Sequence, residues 1–300
     1  MKRQIRLCLP CPDPRPGKIW GDWFFAQSLK RAFERQGHTV NVATAKRRSG
    51  GVWKRVLPQR LPWQSEVDLV IRGTKPWRRL GNRPLFIWLI SHPDLLTERE
   101  LDEATHIFVA SERYAEKLAG RGASVSCLPQ CTDADLFSPS RSDPALCTEV
   151  LFVGNRRKDF ERPVVRLALK TGRSLDVWGR KWEGLLPEGV YRGCEIENAQ
   201  LGAHYASARV VLNDHHPTML PEGFVSNRLY DVLACGRPVL NEDMPGIPAD
   251  LREAVYLYTP DTFAAQLEQA LDHDTVDRTA VADYVRQHHS FDNRAREILR

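Results

Sequence analysis

No stretch of the sequence approaches the ~20 consecutive apolar residues that cross a bilayer. The opening Met1-Lys2-Arg3-Gln4-Ile5-Arg6 lacks the apolar centre of a signal peptide. A cytoplasmic location is therefore expected. There is no Gly-x-Gly-x-x-Gly fingerprint and no Walker lysine motif, which argues against a dehydrogenase or a P-loop nucleotidase. Low-complexity tracts and solenoid-length repeats are also missing. The cysteines are seven, an odd and scattered set, so a disulfide framework is not expected and reduced thiols are the simpler reading. Cys8-x-x-Cys11 and Cys127-x-x-x-Cys131 would offer a zinc ion four thiols, but Cys8 falls inside a strand pattern and should pack in a sheet. His215 and His216 are adjacent, and adjacent imidazoles point apart on extended backbone, so no metal site is expected there.

What is present is ordinary globular material, 42% hydrophobic and 27% charged, in 300 residues. That length exceeds what one core usually organises and favours two domains. The charge is uneven. Between Lys46 and Arg83 stand eleven Lys or Arg against only Glu66 and Asp68, a net +9, so the rest of the chain carries −4. Trp53, Trp63 and Trp77 interleave with these charges. The mixture suits an anionic membrane surface, an acidic acceptor or nucleic acid. A solvated loop is equally compatible, because Pro58, Pro62, Pro76 and Gly50-Gly51 break any amphipathic helix. Peripheral contact with an anionic membrane through residues 46–83 is kept as an expectation, and no nucleic-acid partner is expected.

The chain reads as alternating strands and helices. Strand patterns lie at residues 5–9, 38–42, 67–71, 85–90 and 106–110, with helical patterns at 22–36 and 112–119, the latter capped by Ser111. A polar, proline-containing stretch from Pro129 to Thr148 marks a domain boundary. A second series of strands follows at 149–153, 174–178, 208–212 and 237–240, then helices at 261–271, 277–288 and 293–300. Such alternation predicts an α/β fold with parallel sheets and ligands at the carboxyl ends of the strands.

The most informative segment runs from Pro221 to Leu240. Gly223 permits a sharp loop, Ser226 is a good N-cap, and Leu229, Val232 and Leu233 share one helical face. Gly236 stops the helix, and Pro238 precedes the next strand. The helix start offers free amides and a favourable dipole to a diphosphate. Arg228 offers a fixed fork to phosphate, and Asp231, one turn on, offers a carboxylate to vicinal hydroxyls such as those of a ribose. In the first half, His92 and Asp94 follow the strand ending near Ile90 and suit contact with a sugar or activation of an acceptor hydroxyl. A capping role for His92 is the alternative. The loop Gly17 to Asp22 ends at the first helix and is a further candidate, with an ordinary strand-to-helix turn as the alternative. Asn213-Asp214-His215-His216 is an unusually polar strand end, suited to contact with a donor sugar or nucleobase.

With Pro221-Glu222-Gly223-Phe224 and Ala234-Cys235-Gly236-Arg237-Pro238-Val239, the sequence resembles the nucleotide-sugar glycosyltransferases of the GT-B fold, especially retaining family 4 and the CgeB-like group. Two departures stand out. The second acid is Asp231 where family 4 has Glu, and eight residues rather than seven separate it from Glu222. Arg228, three residues before Asp231, is the arrangement of the CgeB-like group, which need not keep the first acid. The resemblance implies two Rossmann-like domains facing a central cleft, residues 1–140 on the acceptor side and 146–283 on the donor side, with 284–300 crossing back as a helix. It implies sugar transfer from a nucleoside diphosphate donor to an unidentified acceptor, without a metal ion or other cofactor and with retention of configuration. Glu222 would lie near the donor sugar and Asp231 on its ribose, while Gly154, Asn155, Arg156 and Arg157, after the first strand of the second domain, would meet the diphosphate with Ser226, Asn227 and Arg228. A nucleotide-sugar epimerase of the same fold and a non-catalytic nucleotide-sugar-binding scaffold remain open alternatives.

Overall fold

The computed structural model describes residues 2–15, 21–45, 65–79, 81–157 and 162–300. Most of the basic segment, residues 46–64 and Leu80, thus lies outside the described residues, as do 16–20 of the first loop. The contacts divide the chain into two units. One comprises Met1–Pro129, Glu222–Phe224 and Phe291–Arg300, the other Gln130–Pro221 and Val225–Ser290.

In the first unit, β1 (Gln4–Leu9), α1 (Gly21–Arg35), β2 (Thr39–Thr44), β3 (Val67–Arg72), β4 (Leu85–Leu89), α2 (Glu98–Glu103), β5 (His106–Val109), α3 (Glu112–Ala119) and β6 (Val125–Cys127) succeed one another. The strands form one sheet in the order β2-β1-β3-β4-β5-β6, and every pairing is parallel. All six residues of β3 are buried, as expected of a central strand covered on both faces. Even its charged Asp68 is inside, paired with Arg6, its register partner on β1. Ser111 caps α3 by accepting from Tyr114 N at 3.2 Å.

In the second unit, β7 (Thr148–Val153), α4 (Pro163–Lys170), β8 (Leu175–Trp178), β9 (Tyr191–Gly193), α5 (Asn198–Ser207), β10 (Ala208–Asn213), α6 (Asn227–Ala234), β11 (Val239–Glu242), β12 (Val255–Tyr258), α7 (Phe263–Asp272) and α8 (Arg278–His288) build a second parallel sheet. Its order is β12-β11-β10-β7-β8-β9. The strand order reverses between β7 and β10, the switch point at which open α/β sheets take ligands. One core around Leu151, Val211, Leu229 and Val232 lies under α5 and α6, and another around Phe152, Val210, Leu240 and Phe263 lies under α4 and α7.

The division of the chain differs from the boundaries expected near residues 140 and 283, for packing reasons. Residues 130–137 belong to the second unit because α5 closes on them: Phe137 stacks on Tyr205 at 5.9 Å, and a Cβ on Gly202 would stand 2.1 Å from Leu136 O. At the other end, α8 packs on α6, and the chain joins the first unit only with α9 (Phe291–Ile298). There Asp292 pairs with Arg35 of α1, and Phe291 meets Phe25 edge to face at 4.7 Å. None of the seven cysteines is in a disulfide. Among the described residues no helix is long and apolar enough to cross a membrane, and no three His, Cys, Asp or Glu gather as a metal site.

Candidate active site

The second unit gathers most of the expected residues at the carboxyl ends of β7, β10 and β11. The apolar strand β7 ends in Gly154, whose amide continues the sheet by donating to Trp178 O at 2.7 Å, while Trp182 Nε1 donates to Gly154 O at 2.7 Å. The two loops meet so closely that a Cβ on Gly179, at φ 145°, would stand 2.2 Å from Gly154 O. Asn155 is a strut of this loop, its Oδ1 accepting from Arg180 N at 2.8 Å. Arg156 donates its amide to Arg180 O at 3.0 Å, and with Arg157 it is half-buried. Residues 158–161 lie outside the described residues.

Arg162, which sequence reasoning missed, reaches back under this loop. Its Nε donates to Asn155 O at 3.2 Å, and its Nη1 pairs with Asp214 at the end of β10. Arg228 arrives from α6, donating through Nη1 to Asn213 Oδ1 at 3.0 Å and through Nη2 to Val153 O. Both guanidiniums flank the Phe152 ring, with Cζ at 5.6 Å for Arg162 and 5.4 Å for Arg228. Burial pushes the Asp214 carboxyl up from its ordinary value, against the two guanidiniums that pull it down. Ionised, Asp214 offsets one of the two guanidiniums beside it. A signal for Arg162 was available: an arginine directly before Pro163, the first residue of a helix following the first strand of the unit.

At the start of α6, Ser226 takes the N-cap position without capping through its side chain. Its hydroxyl donates instead to Asn213 Oδ1 at 3.0 Å, so the amides of Asn227 and Arg228 have no intrahelical or cap acceptor, while Leu229 N donates to Ser226 O at 3.2 Å. Asp231 is the surprise. It is 3% exposed, its Oδ1 accepts from Thr132 Oγ1 at 2.7 Å, and its Oδ2 accepts from Asn227 Nδ2 at 3.0 Å. Burial raises its carboxyl well above the usual range. Each carboxylate oxygen thus already accepts one hydrogen bond, and little of its surface is left to a ribose hydroxyl. Asn227 is instead fixed by Asp231 at the mouth of the helix.

The remaining candidates lie in the first unit. His92 follows β4 in the left-handed region, φ 52°, with Nδ1 4.0 Å from the carboxylate of the exposed Asp94. A non-glycine residue held there is uncommon and occurs where surrounding structure dictates it. Glu222 belongs to this unit, its carboxylate 2.7 Å from Lys117 Nζ on α3 and its carbonyl accepting from Ser111 Oγ. Beside it Phe224 is buried against Tyr114. Asp22, the acid of the first loop, is pushed up by burial, and its Oδ2 would stand 2.8 Å from a Cβ on Gly73.

Comparison with known proteins agrees with this geometry. The family described as glycosyl transferase-like matches residues 156–300, which span Arg156, Arg162, Asp214 and α6. Among curated proteins none matches the sequence. Solved structures match over nearly the whole length. Sucrose-phosphate synthase from Thermosynechococcus elongatus superposes with TM-score 0.70 and 14% identity over 99% of this chain and 97% of its own. AviGT4, a glycosyltransferase involved in avilamycin A biosynthesis, gives 0.66 and 14% over 99% and 96%. Anabaena HepE, solved in complex with UDP-glucose, gives 0.64 and 13% over 99% and 98%. The chain thus has the GT-B fold of these glycosyltransferases, and its residues 156–300 are similar to the family described as glycosyl transferase-like.

Proposed function

We propose that the protein transfers a sugar from a nucleoside diphosphate donor to a hydroxyl-bearing acceptor, without a metal ion and with retention of configuration. The observation that carries this reading is the pair of arginines on Phe152 beside the uncapped start of α6. In glycosyl transfer the bond between the anomeric carbon and the diphosphate oxygen breaks, and negative charge collects on the leaving diphosphate. Fixed guanidiniums and helix amides aimed at that charge stabilise it without reorganising at the moment of reaction. They supply what a divalent cation supplies in metal-dependent transferases.

In this reading Gly154 lets the chain pass close to the phosphates, and Arg156 and Arg157 stand beside them. Arg228 and the amides of Asn227 and Arg228 receive the diphosphate, Ser226 sets the helix start, and Asn155 and Asp231 hold loop and helix in shape. His92, with Asp94, and Glu222 contact the sugar or the acceptor hydroxyl. HepE, which was solved with UDP-glucose and with UDP and glucose, supports a nucleotide-sugar donor. Calorimetry with UDP, GDP, TDP and CDP, each with and without EDTA, tests the binding. A chelator-sensitive affinity would overturn the metal-free reading. Proton couplings of the product's anomeric centre test retention, and a new sugar formed from the donor alone would replace transfer by epimerisation.

A further inference from the structure

We infer that His215 is a positioning residue that sets the phosphate-facing start of α6, an inference that rests on the donor reading above. Its ring is fully inside the second unit, 0% exposed at the side chain, directly after β10 and Asp214. Nε2 accepts the amide hydrogen of Ser226 at 3.2 Å. An imidazole nitrogen that accepts carries no proton, so the ring proton sits on Nδ1. Nδ1 faces Glu242 Oε2 at 3.4 Å, and the same oxygen accepts His215 N at 2.7 Å. Glu242, at the end of β11, therefore holds the backbone of His215 and faces Nδ1 without hydrogen bonding it, and His215 holds the peptide that opens α6.

The consequence lies in what this arrangement spares. A serine at an N-cap usually turns its hydroxyl onto an amide of the first helical turn. Here the Ser226 hydroxyl is drawn to Asn213 and its own amide to the His215 ring, so the residue is held from two sides and neither bond consumes a first-turn amide. The amides of Asn227 and Arg228 stay open to an anionic ligand in a fixed direction, while that of Leu229 is taken by Ser226 O. Arg228 is held to the same Asn213 oxygen, which puts the helix start and the guanidinium on one rigid strand end. Asn213 and His215 are thereby used inward, to aim the helix.

The test compares His215→Ala with His215→Gln, whose Oε1 can still accept from Ser226 N, using titration with UDP and with free uridine on variants of unchanged circular dichroism. If the wild-type donor proves to carry another base, that diphosphate and its nucleoside take their place. His215→Ala is expected to weaken the diphosphate about tenfold, the loss of roughly one hydrogen bond's alignment, while leaving the nucleoside unchanged. His215→Gln should recover most of the loss. Equal losses for diphosphate and nucleoside, failure of Gln to rescue, or unchanged diphosphate affinity in His215→Ala would overturn the inference. Nitrogen-15 spectra of the ligand-free protein give a second reading, since a proton found on Nε2 rather than Nδ1 would also overturn it. If the wild type bound no nucleoside diphosphate at all, the donor reading would fail, and the tautomer measurement would still judge the His215 contact.

Discussion

Thr132 Oγ1 donates a hydrogen bond to Asp231 Oδ1 across 2.7 Å, so the one acid in the middle of α6 is tied to the segment that opens the second unit. The same segment lies beside the end of that unit, with Thr132 N donating to His289 O at 2.9 Å and Thr132 joined to Ser290 by an isolated parallel bridge. Asp231 thus joins the α6 start, through Asn227, to both ends of its unit.

That placement sets a pH dependence. The Asp231 carboxyl is raised in the folded state by burial, with Asp133 adding to the rise and Thr132, Arg228 and Asn227 opposing it. A raised folded value means the folded state binds the proton more tightly. The resulting stability is full below the unfolded value of about 3.9 and is lost as pH rises through the folded one. Asp231→Asn, which stays neutral, should therefore gain in melting temperature relative to the wild type as pH is raised from about 5 to about 8. A difference in melting temperature that did not change with pH would contradict this.

Arg228→Ala should weaken nucleoside diphosphate binding by roughly one to two orders of magnitude, the cost of about 1.5–3 kcal/mol for losing a hydrogen bond to a charged group. Arg228→Lys should recover only part of it, because an ammonium cannot hold Asn213, Val153 and a phosphate with one planar fork. Calorimetry on folded variants decides, and equal affinity of the Lys variant and wild type would show that only charge matters.

Much of this arrangement is legible in the sequence, and the exceptions have physical causes. β1, β3, β7 and α3 fall within a residue or two of their expected limits because their apolar runs are long or their caps are strong. The short strands β6 and β9, reading Val-Ser-Cys and Tyr-Arg-Gly, carry no period of their own and exist because a neighbour offers a ladder. The helix α5 is equally hidden, since its closest packing runs through Gly202 rather than through an apolar stripe. In the site, the helix, its Ser226 start and Arg228 are readable from residue types, whereas the burial of Asp231 is not. A carboxylate on a helix looks the same in sequence whether Thr132, ninety-nine residues away, or a ligand satisfies it. Arg162 was missed for the same reason, because its partner Asp214 lies fifty-two residues on.

Glu222 separates a structural ion pair from a chemical role. Its partner Lys117 is 58% exposed at the side chain, so the pair should contribute no more than about 1 kcal/mol to stability. Both Glu222→Gln and Lys117→Met are expected to melt close to the wild type. Only Glu222→Gln should lower kcat, because the carboxylate and not the pair contacts the sugar in the proposed reaction. Equal kcat values for the two variants would remove Glu222 from the chemistry.

Gly179→Ala should damage the loop that follows β7 without touching any proposed ligand group. Its φ of 145° disfavours a side chain, and the new Cβ would overlap Gly154 O at 2.2 Å, a backbone atom that cannot swing away. Loop separation would break the Gly154 N to Trp178 O bond, and a loss of about 2–4 kcal/mol in denaturant-unfolding stability is expected. A variant as stable as the wild type would show that the two loops separate at little cost.

The Arg162 and Asp214 pair separates stability from binding most cleanly. Asp214 is fully buried at the side chain and Arg162 is 10% exposed, so removing one partner strands the other charge inside the protein. Breaking a buried pair in this way costs about 3–5 kcal/mol, whereas replacing both partners by apolar residues of similar volume is often neutral or stabilising. Asp214→Leu should therefore destabilise strongly, Arg162→Met somewhat less because Arg228 still neutralises part of Asp214, and the double variant should recover most of the loss. Diphosphate affinity should not follow stability back. The double variant loses one of the two guanidiniums on Phe152 and with it part of the positive corner that in the proposed reaction receives the leaving group. A double variant that folds like the wild type but binds nucleoside diphosphate at least tenfold more weakly is the expected result. Wild-type affinity in that variant would reduce Arg162 to a packing residue and leave the phosphate to Arg228 and the helix alone.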